Sequence, residues 1–417
     1  MRTRYCAGVV AVLFAACGFP EPTLIGGGDG GQQRQDGSTG GDDAGSGMHD
    51  GAVVHDAPPS QFCYGNPSSG YYVCLTAAPT TPLSGSLQVV TGQGGSSGDN
   101  GTGCATNVVT PSDNSVCVAA FSSISLGDGN AITATGFRPF VLVSDSDMTI
   151  GDGATIDVGS HRTSATAQTA GAGATLGPCN LGTQTVATGV GGAGGSFNGA
   201  GGDGVSTGGT AANPSTPGPV FTASDLHTLR GGCPGQTGFD NPSTVAGDGG
   251  GVVALIATGT ITLDGVVASG GAGASGGYNS GNQYYGGGGG GTGGMIQIDA
   301  STLAGNGILA APGGGGSQGA GTIPGAGASN GATGEDPLVQ PGNNTFANGA
   351  AGGTSTITGG AGGNGSSTAS VNGVSGVKSG TGSTAGGGGG GGGAGWILLH
   401  LQTDTFSGTT LPPPAPN

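Results

Sequence analysis

Apolar and polar residues alternate with a period of two in short segments that recur along the chain. Residues 116–138 contain three such segments separated by turn residues, and residues 140–162 contain three more. The two stretches align at an offset of 24 without a gap, which places the triplet Gly-Asp-Gly at 127–129 on the same triplet at 151–153. Alternation at period two predicts strands, and Gly-Asp-Gly supplies the positive φ angles that a tight corner needs. Each unit therefore predicts three short strands and three corners.

The same pattern returns in the second half of the chain. Residues 253–271 align with 295–313 at an offset of 42, and residues 396–401 begin a truncated copy that the prolines at 412–414 end. Three strands per copy, each copy covering the apolar interior of the next, are typical of a parallel β-helix. We therefore expect an all-β fold, a short right-handed parallel β-helix of about five rungs, with the handedness taken from the crossover rule.

Long glycine-rich segments separate the copies. They occupy 163–252, 272–294 and 314–395, always between the third strand of one copy and the first strand of the next. We expect these insertions to leave one corner and to lie side by side within a domain at 116–417. Glycine runs bury no side chains, so partial order as polyproline-II-like strands near the sheets, and disorder beyond, is the expectation. Any binding function is expected on this face of inserts.

Composition excludes several classes of protein. Of 417 residues, 103 are Gly and 23 are Pro, which excludes a helical protein because Gly disfavours helices strongly. Seven basic residues against 23 acidic ones exclude a basic nucleic-acid binder. The glycine runs are not followed by the Lys of a phosphate-binding loop, so nucleotide binding is excluded as well.

The N-terminus predicts export. A basic start is followed by an apolar run, Cys6 to Ala16, which is too short to span a bilayer and fits a secretory signal peptide at 1–17. The run ends in Phe-Ala-Ala-Cys and resembles a bacterial lipobox, with Phe14 where an aliphatic residue is usual. We expect lipidation of Cys17 and an outer-membrane or cell-surface lipoprotein, with ordinary secretion as the alternative. Residues 18–60 lack apolar periodicity and are expected to be a disordered tether.

Six further cysteines are available for pairing in an exported chain. Sequence proximity favours the disulfides Cys63–Cys74, Cys104–Cys117 and Cys179–Cys233, although six cysteines allow fifteen connectivities. A zinc site is the alternative, but no CxxC motif occurs. Residues 61–115 contain Cys63, Cys74 and Cys104, with Cys117 just beyond, and this segment is expected to be a disulfide-stapled cap on the N-terminal end.

Acidic residues at equivalent corners are the candidate metal ligands. Asp128, Asp152 and Asp264, followed by Asn306, should form a ladder with a spacing of about 4.8 Å. A Ca²⁺ ion would relieve the repulsion between these carboxylates. The alternative is that Asp and Asn are ordinary turn residues that bond their own backbone. We expect no cofactor, with calcium as the weak candidate.

Two other groups are candidates for carbohydrate chemistry. His161 and Arg162 are expected to meet Asp157, and Arg162 occupies the position equivalent to Arg138 one copy earlier. A basic residue beside carboxylates can move a proton in sugar chemistry, but salt bridges and corner capping explain the same residues. The tyrosines at 278, 284 and 285 are able to stack on sugars or to pin a glycine-rich loop.

Several separated blocks resemble glycine-rich exported proteins, lipoproteins among them, of the type found in myxobacteria and their relatives. The blocks are Phe62–Gly65, Val73–Pro79, Thr135–Pro139, Leu229–Gly235 and the glycine runs that lead into strands at 286–299 and 386–401. The resemblance covers nearly all of the mature body and implies a cell-surface setting. It implies no reaction and transfers no functional residue.

These features predict a surface-anchored structural or adhesive lipoprotein with no catalytic activity. Its expected partners are the membrane, through the lipid, and extracellular polysaccharide or surface proteins, with no nucleic acid and no nucleotide. The alternative is a polysaccharide lyase or hydrolase, or a glycan-binding module, on the same scaffold.

Overall fold

The computed structural model describes part of the chain. The described residues are 61–417 without 67–70, 93–102, 105–107, 110–115, 175–177, 208–212, 223–225, 227, 240–243, 282, 324–326, 338–349, 356, 381–384 and 416–417. The predicted signal peptide, the lipidation site Cys17 and the predicted tether lie outside these residues.

Every helix or strand assigned in the described residues is a β-strand, so the all-β class is confirmed. The strands are β1 (Phe62–Asn66), β2 (Tyr71–Leu75), β3 (Leu87–Val90), β4 (Val108–Val109), β5 (Cys117–Phe121), β6 (Ile124–Leu126), β7 (Ala131–Thr135), β8 (Phe140–Ser144), β9 (Met148–Ile150), β10 (Thr155–Asp157), β11 (His161–Arg162), β12 (Gln168–Thr169), β13 (Val252–Ala257), β14 (Thr260–Leu263), β15 (Val266–Ala268), β16 (Asn279–Ser280), β17 (Gln283–Tyr284), β18 (Met295–Gly305), β19 (Ile308–Ala310), β20 (Gly321–Ile323), β21 (Gly327–Ser329), β22 (Trp396–Phe406) and β23 (Thr409–Leu411).

Two sheets of parallel strands contain all copies of the repeat. One has six strands in the order β23-β19-β15-β10-β7-β3, and the other has eight, in the order β5-β8-β13-β18-β14-β9-β6 with β22 beside β18. Equivalent positions of neighbouring copies pair, as Ile132 and Ile156 do on β7 and β10. The small remaining sheets are antiparallel.

The expectation of a short right-handed parallel β-helix with inserts at one corner is wrong for this structure. The eight-stranded sheet turns back on itself and is nearly closed, because β18 pairs with β13 through its first half and with β14 through its second. β22 follows β18 along its whole length in the same way. Residues 299–302 contain no Gly or Pro to end the strand at the expected corner, so the chain stays extended there. The glycine-rich segments also do not leave the sheets as separate inserts, because they bond to one another.

The register of the first strands also differs from the gapless alignment. Cys117 pairs with Phe140, an offset of 23, whereas Ile124 pairs with Met148 at the expected offset of 24. A shift by one residue exchanges the two faces of a strand. Both faces of these strands are buried, so their apolar runs carry no alternation that would fix the register.

The interior between the two sheets is filled by aliphatic side chains. The inward residues of the eight-stranded sheet include Phe140, Leu142 and Leu255, and those of the six-stranded sheet include Ile156 and Leu309, all fully buried. A second apolar cluster covers the outer face of the eight-stranded sheet. It contains the outward residues of β8 and β13 together with Tyr64, Val73 and Leu75 of the β1–β2 hairpin. The hairpin of the predicted N-terminal cap therefore packs on the sheet face, while β3 extends the six-stranded sheet beyond β7.

The glycine-rich segments form a bundle of extended, hydrogen-bonded chains. The backbone N–H groups of residues 286–294 donate in turn to three neighbouring segments, and the donor and acceptor pairs are 287 to 387, 288 to 275, 289 to 236, 290 to 390, 291 to 272, 292 to 233, 293 to 393 and 294 to 269. Every third N–H thus meets the same neighbour. This periodicity means three residues per turn, which is polyproline-II geometry.

The bundle is a hexagonal array. Segments 286–294, 311–320 and 385–395 are inner ones: they bond to one another, and each is bonded to six neighbours. The outer segments among the described residues are 189–196, 199–206, 231–238, 245–251, 269–277, 331–335, 350–353, 359–366 and 371–379. The described parts of all three expected inserts therefore belong to one packed body, and the expectation of ordered stems with disordered ends does not hold for them.

Glycine is required inside the bundle because the backbones are in contact. A Cβ atom built on Gly389 would fall on the carbonyl group of Gly288, and one on Gly289 would fall on that of Ala193. Absence of a side chain is what allows this approach. Two inner segments continue directly into β18 and β22, so the bundle and the eight-stranded sheet are connected without a linker.

Candidate functional site

Two of the predicted corner acids, Asp128 and Asp264, contact the backbone of the next turn. The Asp264 carboxylate accepts a hydrogen bond from the N–H of Asn306 at 3.2 Å. A Cβ on Gly153, which has φ of 76°, would fall on the carboxylate of Asp128, so this carboxylate lies against the next corner. Among the described residues, no group of three or more His, Cys, Asp or Glu side chains is placed to hold a metal ion. These contacts favour turn capping for the corner acids.

His161 lies between two carboxylates at the junction of the sheets and the bundle. Its Nε2 is 2.9 Å from Asp157 Oδ2, the contact that the sequence predicts, and its Nδ1 is 3.9 Å from Asp336 Oδ2. Asp157 ends β10, His161 begins β11, and Asp336 follows the outer bundle segment 331–335. We call these three residues the Asp157–His161–Asp336 cluster.

Sequence reasoning missed Asp336, which is 174 positions from Arg162. Its Oδ2 accepts from the N–H of Arg162 at 2.7 Å, and its Oδ1 accepts from the N–H of Gly273 at 2.8 Å. At the edge of segment 269–277, Asp336 thereby accepts an N–H that a further bundle segment would otherwise accept. The available signal was compositional: Glu335 and Asp336 are the acidic pair of an otherwise nearly uncharged insert.

The electrostatics of the cluster favour a charged histidine. The hydrogen bond to Asp157 raises the pKa of His161, with further contributions from the charges of Asp157 and Asp336, against the opposing effect of burial. Burial lowers the pKa of Arg162, while the charge of Asp336 opposes this shift. The Arg162 guanidinium donates to the carbonyl oxygens of Gly273 at 3.1 Å and Ser164 at 2.8 Å.

The cluster links separate chain segments through hydrogen bonds. Each carboxylate accepts a backbone N–H, that of Gly159 for Asp157 and those of Arg162 and Gly273 for Asp336. Such bonds fix the position of a carboxylate. His161 is the most exposed member, with 46 % of its side-chain surface accessible, and is open to exchange protons with solvent or a ligand.

The other predicted residues do not join this cluster into a larger site. The N–H of Arg138 donates to Thr91 Oγ1, at the β3 end of the six-stranded sheet. The Tyr285 side chain is buried and its hydroxyl donates to Gln283 at 2.6 Å, whereas Tyr278 is 37 % exposed. The tyrosine positions therefore include one that pins a glycine-rich loop and one that is available at the surface.

The three disulfides form as sequence proximity favours: Cys63–Cys74, Cys104–Cys117 and Cys179–Cys233. The first closes the β1–β2 hairpin, and the third lies beside the buried Arg230, whose guanidinium carbon is 4.1 Å from the ring centre of Phe221. Disulfides persist in oxidising compartments, so their presence fits an exported environment.

Comparison with protein-family models, with curated proteins and with solved structures finds no match to this chain. A search of the described residues for an apolar helix long enough to cross a bilayer finds no candidate.

Proposed function

We propose that the chain is a surface-anchored structural or adhesive lipoprotein of the outer membrane or cell surface. The observation that carries the proposal is the glycine bundle. Its interior consists of hydrogen-bonded backbone, and its inner segments run straight into β18 and β22. Such a body is rigid and offers its outer segments, with their side chains, to the surroundings. The lipobox-like sequence before Cys17 and the tether-like composition of 18–60 support attachment to a membrane.

Lipid attachment is tested with two cysteine variants of the full chain. Cys17→Ala removes the proposed acceptor, and Cys6→Ala is the matched control within the same apolar run. The expected result is that wild type and Cys6→Ala incorporate labelled fatty acid and stay in the membrane fraction, whereas Cys17→Ala does neither. Membrane retention of Cys17→Ala equal to wild type would contradict the anchoring.

No cofactor enters this proposal. The corner acids Asp128 and Asp264 contact neighbouring turns, so a bound Ca²⁺ ion is not needed to hold these corners together. The expected midpoint of thermal unfolding is the same in millimolar Ca²⁺ and in EDTA. A higher midpoint in Ca²⁺ that is lost in Asp152→Asn would instead assign a calcium site to this corner.

One observation favours a second candidate, a polysaccharide lyase or hydrolase. His161 lies between two carboxylates and is half exposed, as a group that transfers protons would have to be. Incubation of the protein with polysaccharides, followed by detection of new reducing or unsaturated ends, separates the two candidates. We expect no cleavage; cleavage that His161→Gln abolishes and Lys378→Gln, an exposed change outside the cluster, retains would establish the enzyme.

A further inference from the structure

The outer face of the eight-stranded sheet changes character between β13 and β18. The outward residues of β8 and β13 are apolar and buried beneath the β1–β2 hairpin, as for Val143, Ala254 and Ile256. On the last two strands the inward residues remain aliphatic, and the outward positions are mixed: Met295 and Trp396 still belong to the outer apolar cluster, whereas Gln297, Asp299 and His400 are polar. These outward residues are Met295, Gln297 and Asp299 of β18 and Trp396, Leu398 and His400 of β22.

Three polar atoms on this patch are buried and have no hydrogen-bond partner among the described residues. They are Gln297 Nε2, Trp396 Nε1 and His400 Nε2. Two of these residues are almost completely buried, since Gln297 is 4 % exposed and Trp396 is 8 % exposed. Buried polar groups in folded proteins are almost always bonded, and an exception calls for a ligand, an ion or a water.

The three atoms belong to one small area of the sheet. Leu398 pairs with Gln297, and Trp396 and His400 flank Leu398 at two-residue spacing on β22. Adjacent strands are about 4.8 Å apart and alternate residues along a strand about 6.7 Å apart. The patch thus has the dimensions of one or two sugar rings. We call it the Trp396 patch, consisting of Gln297, Trp396 and His400.

The chemistry of the Trp396 patch selects a neutral, hydroxyl-rich ligand. The carboxamide and indole N–H groups require oxygen acceptors, and the indole adds apolar surface, the combination typical of small-molecule sites. Burial lowers the pKa of His400, so its imidazole is neutral at neutral pH and is able to exchange hydrogen bonds with a hydroxyl group. An anionic ligand is disfavoured by Asp299, which pairs with His400, and by the formal net charge of −16.

We propose that the Trp396 patch binds a saccharide unit of a neutral extracellular glycan. The inference rests on the proposed adhesive function and names its ligand class and its site. Gln297 and Trp396 donate to hydroxyl oxygens of the sugar, and His400 bonds a further hydroxyl. Residues 412–415 lie beside the patch, because the N–H of Ala415 donates to the carbonyl of Ile397 at 2.9 Å. Access therefore requires displacement of this terminal segment from the edge of β22.

Trp396 is the only tryptophan of the chain, so its fluorescence reports on the patch directly. The full chain is titrated with linear hexasaccharides of β-1,4-glucose, β-1,3-glucose, β-1,4-xylose and α-1,4-glucose, and with oligogalacturonate as the anionic probe. We expect a saturable change with at least one neutral probe and none with the anionic one. Gln297→Leu should weaken binding about tenfold through loss of a donor, whereas Gln402→Leu, an exposed change on the same strand, should not.

Calorimetric titration of Trp396→Phe, which keeps an aromatic ring and removes the N–H, completes the test and should show a similar loss. Glycan binding that survives both Gln297→Leu and Trp396→Phe would leave the adhesive function standing and overturn this site. Absence of binding by every probe, with Gln297→Leu raising the unfolding temperature, would show that the patch holds only water. That result would overturn the saccharide site and leave adhesion to surface proteins standing, while the cysteine variants test anchoring separately.

Discussion

The interior between the two sheets and the interior of the glycine bundle are filled in opposite ways. Between the sheets, the backbone is kept apart and aliphatic side chains such as Leu142 and Leu255 fill the space. In the bundle, most positions of the inner segments are glycine, and the backbones themselves fill the space with N–H groups bonded to neighbouring segments. The sheets therefore depend on apolar burial, and the bundle depends on close approach and on satisfied peptide groups.

This difference determines which substitutions each region tolerates. An interior of side chains is damaged when atoms are removed, because a cavity remains. An interior of backbones is damaged when atoms are added, because no rotamer change can relieve a Cβ that meets a carbonyl group. The same protein thus contains one region that needs large residues and one that needs glycine wherever two backbones are in contact.

The largest expected effect is the removal of a side chain from the interior between the sheets. Leu255 is fully buried on β13, and Leu255→Ala should lower the free energy of unfolding by about 2–5 kcal/mol. Val90→Ala is the control, because Val90 lies on β3 and is 47 % exposed, and it should change little. Denaturation by urea measures both. Equal effects of the two variants would show that this interior is not the source of stability.

The next largest effect is the addition of a methyl group to an inner segment of the bundle. Gly389→Ala places a Cβ on the carbonyl of Gly288 and should cost about 1–3 kcal/mol, near the upper end because both partners are backbone. Gly380→Ala is the matched control, since a Cβ there meets nothing within 4 Å. The same urea titrations compare the variants. A neutral Gly389→Ala would contradict the close packing described for the bundle.

The repeat pattern made the paired strands predictable, because alternation and the Gly-Asp-Gly corners are local signals. It correctly placed Ile132 opposite Ile156, where one face of each strand is buried and the other is not. It misplaced the first strands by one residue. Cys117–Ala119 and Phe140–Ser144 are buried on both faces, so their sequences show no alternation of apolar and polar residues that would fix the register. The continuous course of β18 through the expected corner was equally invisible, because it depends on pairing with two strands at once.

The bundle and the candidate sites were less predictable for a different reason. A glycine run has no side-chain pattern, so its order arises only from six neighbours that lie far apart in the chain. Asp336 was missed because its role is to bond the N–H groups of Arg162 and Gly273, both distant in sequence. The His161–Asp157 contact was predictable, since four residues separate the two side chains. The sequence thus predicts contacts between residues that are close along the chain, and not those between distant segments.

The smallest expected effects come from the two histidines, and they have opposite signs in the two regions. His161, at the edge of the bundle, has its pKa raised above the ordinary 6.5 by Asp157, and His400, on the sheet, has its pKa lowered by burial. The contribution of His161 is therefore full below about pH 6.5 and is lost as the pH rises through its folded-state pKa. His400 opposes folding when protonated, so stability falls as the pH drops below 6.5 toward its lower folded-state pKa.

Each contribution should stay below about 1 kcal/mol, because His161 is half exposed and screened by solvent. Nuclear magnetic resonance titration of the imidazole signals, assigned with His161→Gln and His400→Gln, measures both pKa values. Urea denaturation at pH 5 and pH 8 then measures stability relative to wild type. His161→Gln should be more destabilising at pH 5 than at pH 8, and His400→Gln should be less destabilising at pH 5 than at pH 8. Titration of His161 at or below 6.5 would show that the Asp157–His161–Asp336 cluster does not favour a charged histidine. The contrast between the two regions would then rest on packing alone.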